Sequence, residues 1–204
     1  MKIRQVLGIF LSVVGVSLII WAVSARYTAG NKEQQLINDF KKSIEQLGQG
    51  ETGDIPATGE ATPDDPALKD SVNDRAIAIL TIPKIDLVVP VMEGTSNDSL
   101  KYSVGHFDNT AMPGEKGNFC VAGHRSYTYN EYFNRLDEVK NGDVIEVQTR
   151  NGATYKYQVN DIKVVEPSEV SVLDPTQDAT ITLVTCTPVR IATHRLIIKG
   201  KLVQ

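Results

Sequence analysis

Two cysteines and three histidines are the side chains of this chain that could support nucleophilic catalysis. One of each lies in TLVTCTPVRIATHRLIIKGK, the stretch from Thr182 to Lys201, which contains Cys186 and His194. A catalytic cysteine reacts as the thiolate, and a neighbouring histidine lowers the pKa of the thiol and later donates a proton. Cys186 therefore has two interpretations, a nucleophile or a packed thiol at the end of a strand.

Strand geometry separates the possible cysteine–histidine pairs. Cys120 and His124 lie on one predicted strand, NFCVAGH, with Cα atoms about 13 Å apart, too far for an ion pair. Cys120 lies inside the apolar run and is interpreted as a core residue. His194 and Arg195 are adjacent, so only one of them can face the same way as Cys186. If Arg195 does, the histidine comes from elsewhere, and His124, at the end of its own strand, is the natural candidate.

The elements that must position these residues are strands. From residue 76 onward, β-rich runs alternate with turn signals such as Asn151-Gly152, which favours a hairpin. Short helices are predicted at 96–102 and 131–139. Many short strands over about 130 residues predict an all-β barrel or sandwich. His106, in VGHF, is interpreted as a core or loop histidine.

The residues before this domain have a different composition. Residues 6–25 carry no charge, and as a helix they would span roughly 30 Å, the thickness of a bilayer core. Lys2 and Arg4 favour a cytoplasmic N-terminus, while cleavage as a signal peptide after Ala25 is the alternative. An amphipathic stalk helix and an acidic, Gly- and Pro-rich linker follow. The predicted organisation is a transmembrane anchor at 1–26, a stalk and linker at 27–74, and a folded domain outside the cytoplasm at 75–204.

The overall composition excludes two classes. The formal net charge of −4 offers no basic excess for binding nucleic acid. Two cysteines are too few for a disulfide scaffold, although a single Cys120–Cys186 disulfide is conceivable outside the cell.

Three motifs together resemble the sortases, the membrane-anchored cysteine transpeptidases of Gram-positive bacteria. TLVTC ends at Cys186, Arg195 follows nine residues later, and AGHR ends at Arg125 about sixty residues upstream. The resemblance implies an eight-stranded β-barrel that cleaves LPXTG-like sorting signals between Thr and Gly. It implies transfer of the acyl group to an amine on a peptidoglycan precursor or to a pilin lysine. It also implies that Cys186 is the nucleophile, His124 the general acid and base, and Arg195 a ligand of the substrate backbone or the oxyanion.

Further expectations follow from the resemblance. It implies substrate-binding roles for Thr185, Ala122, Val172 and Leu173. Some relatives bind calcium near the loop before the cysteine strand, where Glu166, Glu169 and Asp174 lie, but a charged loop is more often simply solvated, so no metal and no cofactor is expected. The short loop after Cys186 is most similar to class D, with the pilin-polymerising class C as second choice. Class C members usually carry an Asp-Pro-aromatic lid and a second membrane span, whereas here Asp65-Pro66 is followed by Ala67 and the sequence stops at Gln204. Both departures favour class D or a housekeeping-like enzyme. The alternative from another class is a membrane-tethered β-domain with an inert Cys186.

The linker also contains IPATGE, residues 55–60, which has the form of a sorting signal with Ile in place of Leu. One hypothesis is that this segment occupies the substrate groove as a weak pseudosubstrate. The competing interpretation is chance, because the composition of a Pro-, Thr- and Gly-rich linker suffices to produce the pentapeptide.

Overall fold

The computed structural model describes residues 10–20, 37–38, 40–42, 44, 76–100, 103–125 and 132–204. Eight strands close into a barrel with the order β1-β2-β3-β4-β7-β8-β6-β5. They are β1 Ala76–Ile82, β2 Leu87–Glu93, β3 Val104–His106, β4 Gly117–Ala122, β5 Val144–Thr149, β6 Thr154–Val165, β7 Ala179–Thr187 and β8 His194–Leu202. The predicted all-β barrel is confirmed, and the sandwich is not formed.

The barrel is mixed rather than purely antiparallel. The pairs β2–β3 and β4–β7 are parallel, and the remaining six are antiparallel. Parallel neighbours end at the same edge of a sheet. The chain therefore leaves β4 and β7 at the same end of the barrel, although the two strands lie about sixty residues apart in sequence.

Side-chain alternation decides which residues of these strands face the core. Phe119 and Val121 of β4 and Ile181 and Leu183 of β7 are fully buried in the main hydrophobic cluster. Because successive side chains point to opposite faces, the even-numbered residues of β4 and β7 face outward. On β8 the parity is reversed, since Leu196 and Ile198 belong to the core cluster.

The predicted helices are only partly formed. The first appears as the helix Asn97–Leu100. Within 132–139 the described chain forms turns and the short 3-10 helix Leu136–Glu138, so the longer helix predicted there is wrong for these residues. The cause is tertiary, because the Phe133 N–H donates to the His124 carbonyl at 3.2 Å instead of to a carbonyl within a helix. Two further 3-10 helices are Pro83–Ile85 and Val170–Leu173.

At the N-terminus, residues 10–20 are helical and their large apolar side chains are exposed. In the part of the chain that the structure describes, no helix is both long and apolar enough to cross a membrane. The predicted span at 6–25 extends beyond the described residues on both sides, and the linker with IPATGE lies outside them.

The described residues of 37–44 are helical and contact the outside of the barrel. Ile37 and Phe40 are buried there in a second hydrophobic cluster. Its other buried members are Ala76 and Ile79 of β1 and Met92 of β2, and Ile44 packs against them. The segment predicted as a stalk is therefore docked on the domain; we call it the docked segment.

Candidate active site

Cys186 and Arg195 face each other across two neighbouring strands. The antiparallel register of β7 and β8 pairs Cys186 with Arg195 and Thr187 with His194. Directly opposed side chains share a face, with Cβ atoms about 4.5–5.5 Å apart. The face that carries Cys186 therefore carries Arg195, and both residues are half-buried at the end of their strands.

His194 points to the other side of the sheet. Its Nε2 lies 3.0 Å from Glu166 Oε1, and both side chains are exposed. Its Nδ1 lies 3.0 Å from the Thr193 hydroxyl. The histidine nearest to Cys186 in sequence therefore belongs to a surface contact with the β6–β7 loop, as strand parity predicts.

The parallel pairing of β4 with β7 brings His124 to the level of Cys186. The last regular pair is Ala122 with Val184, and the Gly123 N–H continues the pattern by donating to the Val184 carbonyl at 3.1 Å. Two residues further, the same register places His124 beside Cys186. Neighbouring strands lie about 4.8 Å apart, so this is the distance scale at which an imidazole and a thiol can interact.

Because β7 lies between β4 and β8, Cys186 has His124 on one side and Arg195 on the other. Cys186 lies on β7 and Arg195 on β8, whereas His124 lies two residues beyond the end of β4, and the register brings the three to one end of the barrel. A thiol next to an imidazole, with a guanidinium beside it, can form a nucleophile and bind a developing oxyanion.

The outer face of β4 and β7 forms a groove that is covered at its far end by the β6–β7 loop. Asn118 Nδ2 donates to the carbonyls of Val172 and Asp174 at 3.0 and 3.1 Å. The Asn118 oxygen accepts a hydrogen bond from the Thr182 hydroxyl at 2.7 Å. These bonds pin the 3-10 helix Val170–Leu173 over the start of both strands, where Asn118 and Thr182 are buried although they face outward.

At the other end of the groove, within the part of the chain that the structure describes, the outward-facing side chains are only partly covered. The outward-facing residues Ala122 and Val184 are half-buried and lead to Cys186. The uncovered floor thus runs along the two strands and ends at the cysteine.

The four predicted substrate-binding residues occupy different positions. Ala122 lies on the floor of the groove, whereas Thr185 faces inward and its buried hydroxyl donates to the Gly123 carbonyl at 2.7 Å. Val172 is buried within the covering loop, and Leu173 is half-buried beside it. Leu173 borders a cavity of about 390 Å³, whose other walls are Thr95, residues 107–110, Asp174 and Pro175.

Cys120 is more deeply buried than Cys186. Its side chain is fully buried, and desolvation raises the pKa of its thiol to about 12. It pairs with Thr182, four residues before Cys186, so the two cysteines lie about 13 Å apart along the strands. Both are free thiols, and a disulfide needs Cα atoms within about 7 Å, so the conceivable Cys120–Cys186 bridge does not fit this barrel.

The guanidinium of Arg195 is oriented by the β7–β8 loop. Nη1 donates to the carbonyls of Ala192 and His194 at 3.2 and 3.0 Å. Ala192 has a φ of 59°, in the left-handed region that costs a residue with a Cβ about 1–2 kcal/mol. Among the described residues both bonds use Nη1, which leaves the other N–H groups of the fork for a substrate.

Two residues near the groove have roles that sequence reasoning missed. Arg125, named there only as the last residue of AGHR, is bonded to Asp137 and Thr187. For Asn118, nothing in the sequence beyond its place on a predicted strand indicated that its amide holds the β6–β7 loop.

His106 was assigned to core or loop, and it lies buried on β3 with Nδ1 3.1 Å from both oxygens of Glu93.

The described residues contain no group of three or more His, Cys, Asp or Glu side chains placed to hold a metal ion. Of the acidic residues near the covering loop, Glu166 contacts His194 and Glu169 accepts a hydrogen bond from Ser171.

Comparison with known proteins identifies the barrel. A family model described as the Sortase domain matches residues 80–203. Sortase SrtE1 of Streptomyces coelicolor is 39% identical over 145 residues, 64% of this chain and 41% of the relative. Sortase D of Bacillus subtilis is 33% identical over 131 residues, 62% of this chain and 64% of the relative. The matches thus span less than two thirds of either curated relative. The structure of a Clostridium perfringens Sortase D5 transpeptidase superposes with a TM-score of 0.60 at 33% identity, covering 82% of this chain and 99% of that one.

Proposed function

The chain belongs to the sortase family of cysteine transpeptidases, and from this premise we propose that it cleaves LPXTG-like sorting signals between Thr and Gly. The acyl group is then transferred to an amine, on a peptidoglycan precursor or on a pilin lysine. The observation that carries the proposal is the register of three strands, which sets His124 and Arg195 on either side of Cys186.

The proposed reaction has two acyl-transfer steps. The Cys186 thiolate attacks the Thr carbonyl carbon of the signal, and the oxyanion that forms is bound by Arg195. His124, as the imidazolium, protonates the Gly nitrogen, so the C–N bond breaks and a thioester remains. The incoming amine loses a proton to His124, attacks the thioester and releases Cys186. A forked guanidinium suits the oxyanion because it is always charged and its donors have fixed directions.

The groove has a length suited to this substrate. Three residues of extended chain span about 10 Å, which separates the first residue of the signal from its Thr. With the Thr carbonyl at Cys186, the apolar first residue reaches the loop that contains Val172 and Leu173. In this arrangement Ala122 lies under the middle of the signal, and Thr185 acts indirectly, by holding Gly123 in place.

Within the family we propose class D. The support is the Sortase D5 structure, which the chain matches over nearly all of that structure's length, together with the Sortase D relative. The higher local identity to SrtE1 covers a smaller share of that relative. Pilus polymerisation is disfavoured because the lid motif of class C is altered at Ala67.

We further propose a single-pass membrane location, with the N-terminus cytoplasmic and the barrel outside. The support is the uncharged run at 6–25, preceded by Lys2 and Arg4. Two measurements test this topology. Protease added to intact cells should digest the barrel, because the barrel is outside the cell. After extraction of membranes with alkaline carbonate, the chain should remain in the membrane fraction. Release into the carbonate supernatant would contradict the anchor without affecting the catalytic assignment.

A peptide library tests the catalytic proposal. The full chain is incubated with LPXTG-type peptides, with and without an amine acceptor, and products are identified by mass spectrometry. We expect cleavage after Thr and an acceptor adduct, both lost in Cys186→Ala and retained in the matched control Cys120→Ala. Absence of turnover for every signal peptide would overturn the proposed reaction and favour a tethered, non-catalytic β-domain.

A further inference from the structure

Arg125 links the ends of β4 and β7. Its side chain is only 6% exposed and has three partners on two segments, Thr187 on β7 and Asn134 and Asp137 in the turn at 132–138. Nη1 donates to the Thr187 hydroxyl at 3.1 Å, Nε donates to the Asn134 carbonyl at 3.2 Å, and Nη2 lies 2.7 Å from Asp137 Oδ1. Because the guanidinium is planar and its donors have fixed directions, three such bonds define its position closely.

The contact with Thr187 lies directly beneath the proposed catalytic pair. Arg125 follows His124 in sequence, and Thr187 follows Cys186. Since successive side chains alternate between faces, Arg125 and Thr187 project to the side of the sheet opposite the thiol and the imidazole. Their hydrogen bond therefore spans the same gap between β4 and β7 that His124 and Cys186 must span above it.

The backbone alone does not fix this gap. Regular pairing of β4 with β7 ends at Ala122 and Val184, two residues before His124 and Cys186. Ends of strands beyond the last ladder bonds open more readily than their centres. The hydrogen bond between Arg125 and Thr187 joins the two chain segments beyond the last regular pair, at the level of His124 and Cys186, and so limits how far they can separate.

On its other side Arg125 contacts a turn that is anchored in the core, although Asp137 itself is exposed. Asp137 belongs to the 3-10 helix Leu136–Glu138, and Phe133 and Leu136 of the same turn are fully buried. The Phe133 ring also packs on Gly123, where any Cβ would meet it at 2.5 Å. The guanidinium is therefore held against a rigid surface, and its bond to Thr187 transmits that rigidity to the strand of the nucleophile.

From these contacts we propose that Arg125 is a positioning residue, which sets the distance between His124 and Cys186 through its bond to Thr187. The proposal rests on the proposed function for the roles of those two residues. Because Arg125 projects to the side of the sheet opposite the thiol and the imidazole, this role is exerted through Thr187 and not on the substrate.

The test uses the full chain and four substitutions. Arg125→Lys keeps the charge but loses the fork, and Thr187→Val removes the acceptor while keeping the shape. Thr187→Ser restores the hydroxyl, and Arg135→Lys is the matched control, an arginine of the same turn whose partners are Glu138, Asp86 and Ile85. Measured quantities are kcat and KM for an LPXTG-type peptide with an amine acceptor, the pH profile of Cys186 alkylation by iodoacetamide, and Tm.

We expect Arg125→Lys and Thr187→Val to lower kcat by roughly 10- to 100-fold with little change in KM, since a misplacement of about 1 Å costs on the order of 100-fold. Alkylation near neutral pH should slow, and its profile should move to higher pH, because the thiolate loses its imidazolium neighbour. Thr187→Ser and Arg135→Lys should resemble the wild type. The double variant Arg125→Lys/Thr187→Val should be no worse than Arg125→Lys alone, because the contact that Thr187→Val removes is already lost in Arg125→Lys.

The outcomes separate the two proposals. If the wild type turns over no peptide, the proposed function fails, and the alkylation profiles alone decide the role of Arg125. If Arg125→Lys does not fold, Thr187→Val compared with Thr187→Ser decides it. Wild-type kcat and an unchanged alkylation profile in Thr187→Val would overturn the positioning role.

Discussion

At the residue scale, the barrel contains two thiols whose surroundings lead to opposite chemistry. Cys120 lies under the covering loop, where desolvation raises the pKa of its thiol to about 12, and Cys186 lies half-buried at an open strand end. A thiol reacts through its thiolate, and only when a reagent can reach it. Position along parallel strands, rather than residue type, therefore decides which thiol is accessible enough to be the proposed nucleophile.

Alkylation distinguishes the two thiols. Iodoacetamide at near-neutral pH should label Cys186 and leave Cys120 unmodified, because a raised pKa keeps Cys120 protonated until strongly alkaline pH and burial excludes the reagent. Peptide mapping by mass spectrometry identifies the labelled residue. In denaturant both thiols should react at similar rates, and rapid labelling of Cys120 in the native protein would contradict the assigned burial.

Arg195 provides a second test at this scale. Arg195→Lys keeps a positive charge but cannot present two directed donors, so peptide turnover should fall by on the order of 100-fold. The matched control is Arg190→Lys, an exposed arginine of the β7–β8 loop that lies outside the register of the two strands. Steady-state kinetics measure both variants. Equal losses in the two would contradict a specific role for Arg195, because both changes keep the positive charge and differ only in position.

The sequence was sufficient to predict the direction of side chains that follows from their alternation along a strand. Parity separates His194 from Arg195 without any knowledge of the fold. It cannot show that Arg125 bonds to Thr187, because that contact depends on the register between strands sixty-two residues apart. Contacts of this kind depend on which strands become neighbours, a property of the whole barrel.

At the element scale, the β6–β7 loop shows how a segment with little regular structure is held in one position. Asn118 satisfies the carbonyls of Val172 and Asp174 and also accepts a bond from Thr182. The predicted strands and most of their boundaries followed from β-rich runs between turn signals. β3 did not, because Val104–His106 has only three residues and its assignment depends on parallel pairing with β2.

Removing the Asn118 side chain should loosen this loop. Asn118→Ala leaves two carbonyls and a hydroxyl without their partner, at a cost of about 1–3 kcal/mol in the free energy of unfolding. The peptide KM should rise more than kcat falls, because the loop borders the groove and not the thiol. Chemical denaturation and hydrogen exchange at 170–174 measure these effects. Asn141→Ala, an exposed turn residue, is the control, and unchanged exchange in Asn118→Ala would contradict the role of the amide.

At the scale of the whole molecule, the docked segment changes how the chain before the barrel is interpreted. Ile37 and Phe40 are buried against β1 and β2, so residues 45–75 connect two points on the same face of the barrel. The spacing between residues 6–25 and the barrel is then set by residues 26–36, which reach at most about 40 Å when fully extended. The hydrophobic spacing of this segment predicted an amphipathic helix, but nothing in it indicated whether its partner was a membrane or the barrel.

Releasing the docked segment tests this arrangement. Phe40→Asp places a charge in the cluster formed with Ile79 and Met92, which disfavours docking while leaving the main core intact. Lys41 and Lys42 are exposed, and docking holds their backbone in a helix that resists protease. Trypsin should therefore cut after these lysines faster in Phe40→Asp than in the wild type, as followed by mass spectrometry.

The control is Val203→Asp, the same type of change at an exposed position, and trypsin should cut this variant after Lys41 and Lys42 at the wild-type rate. Equal rates in all three proteins would mean that residues 37–44 do not dock stably in solution, and that the full segment 26–75 separates the barrel from the N-terminal helix.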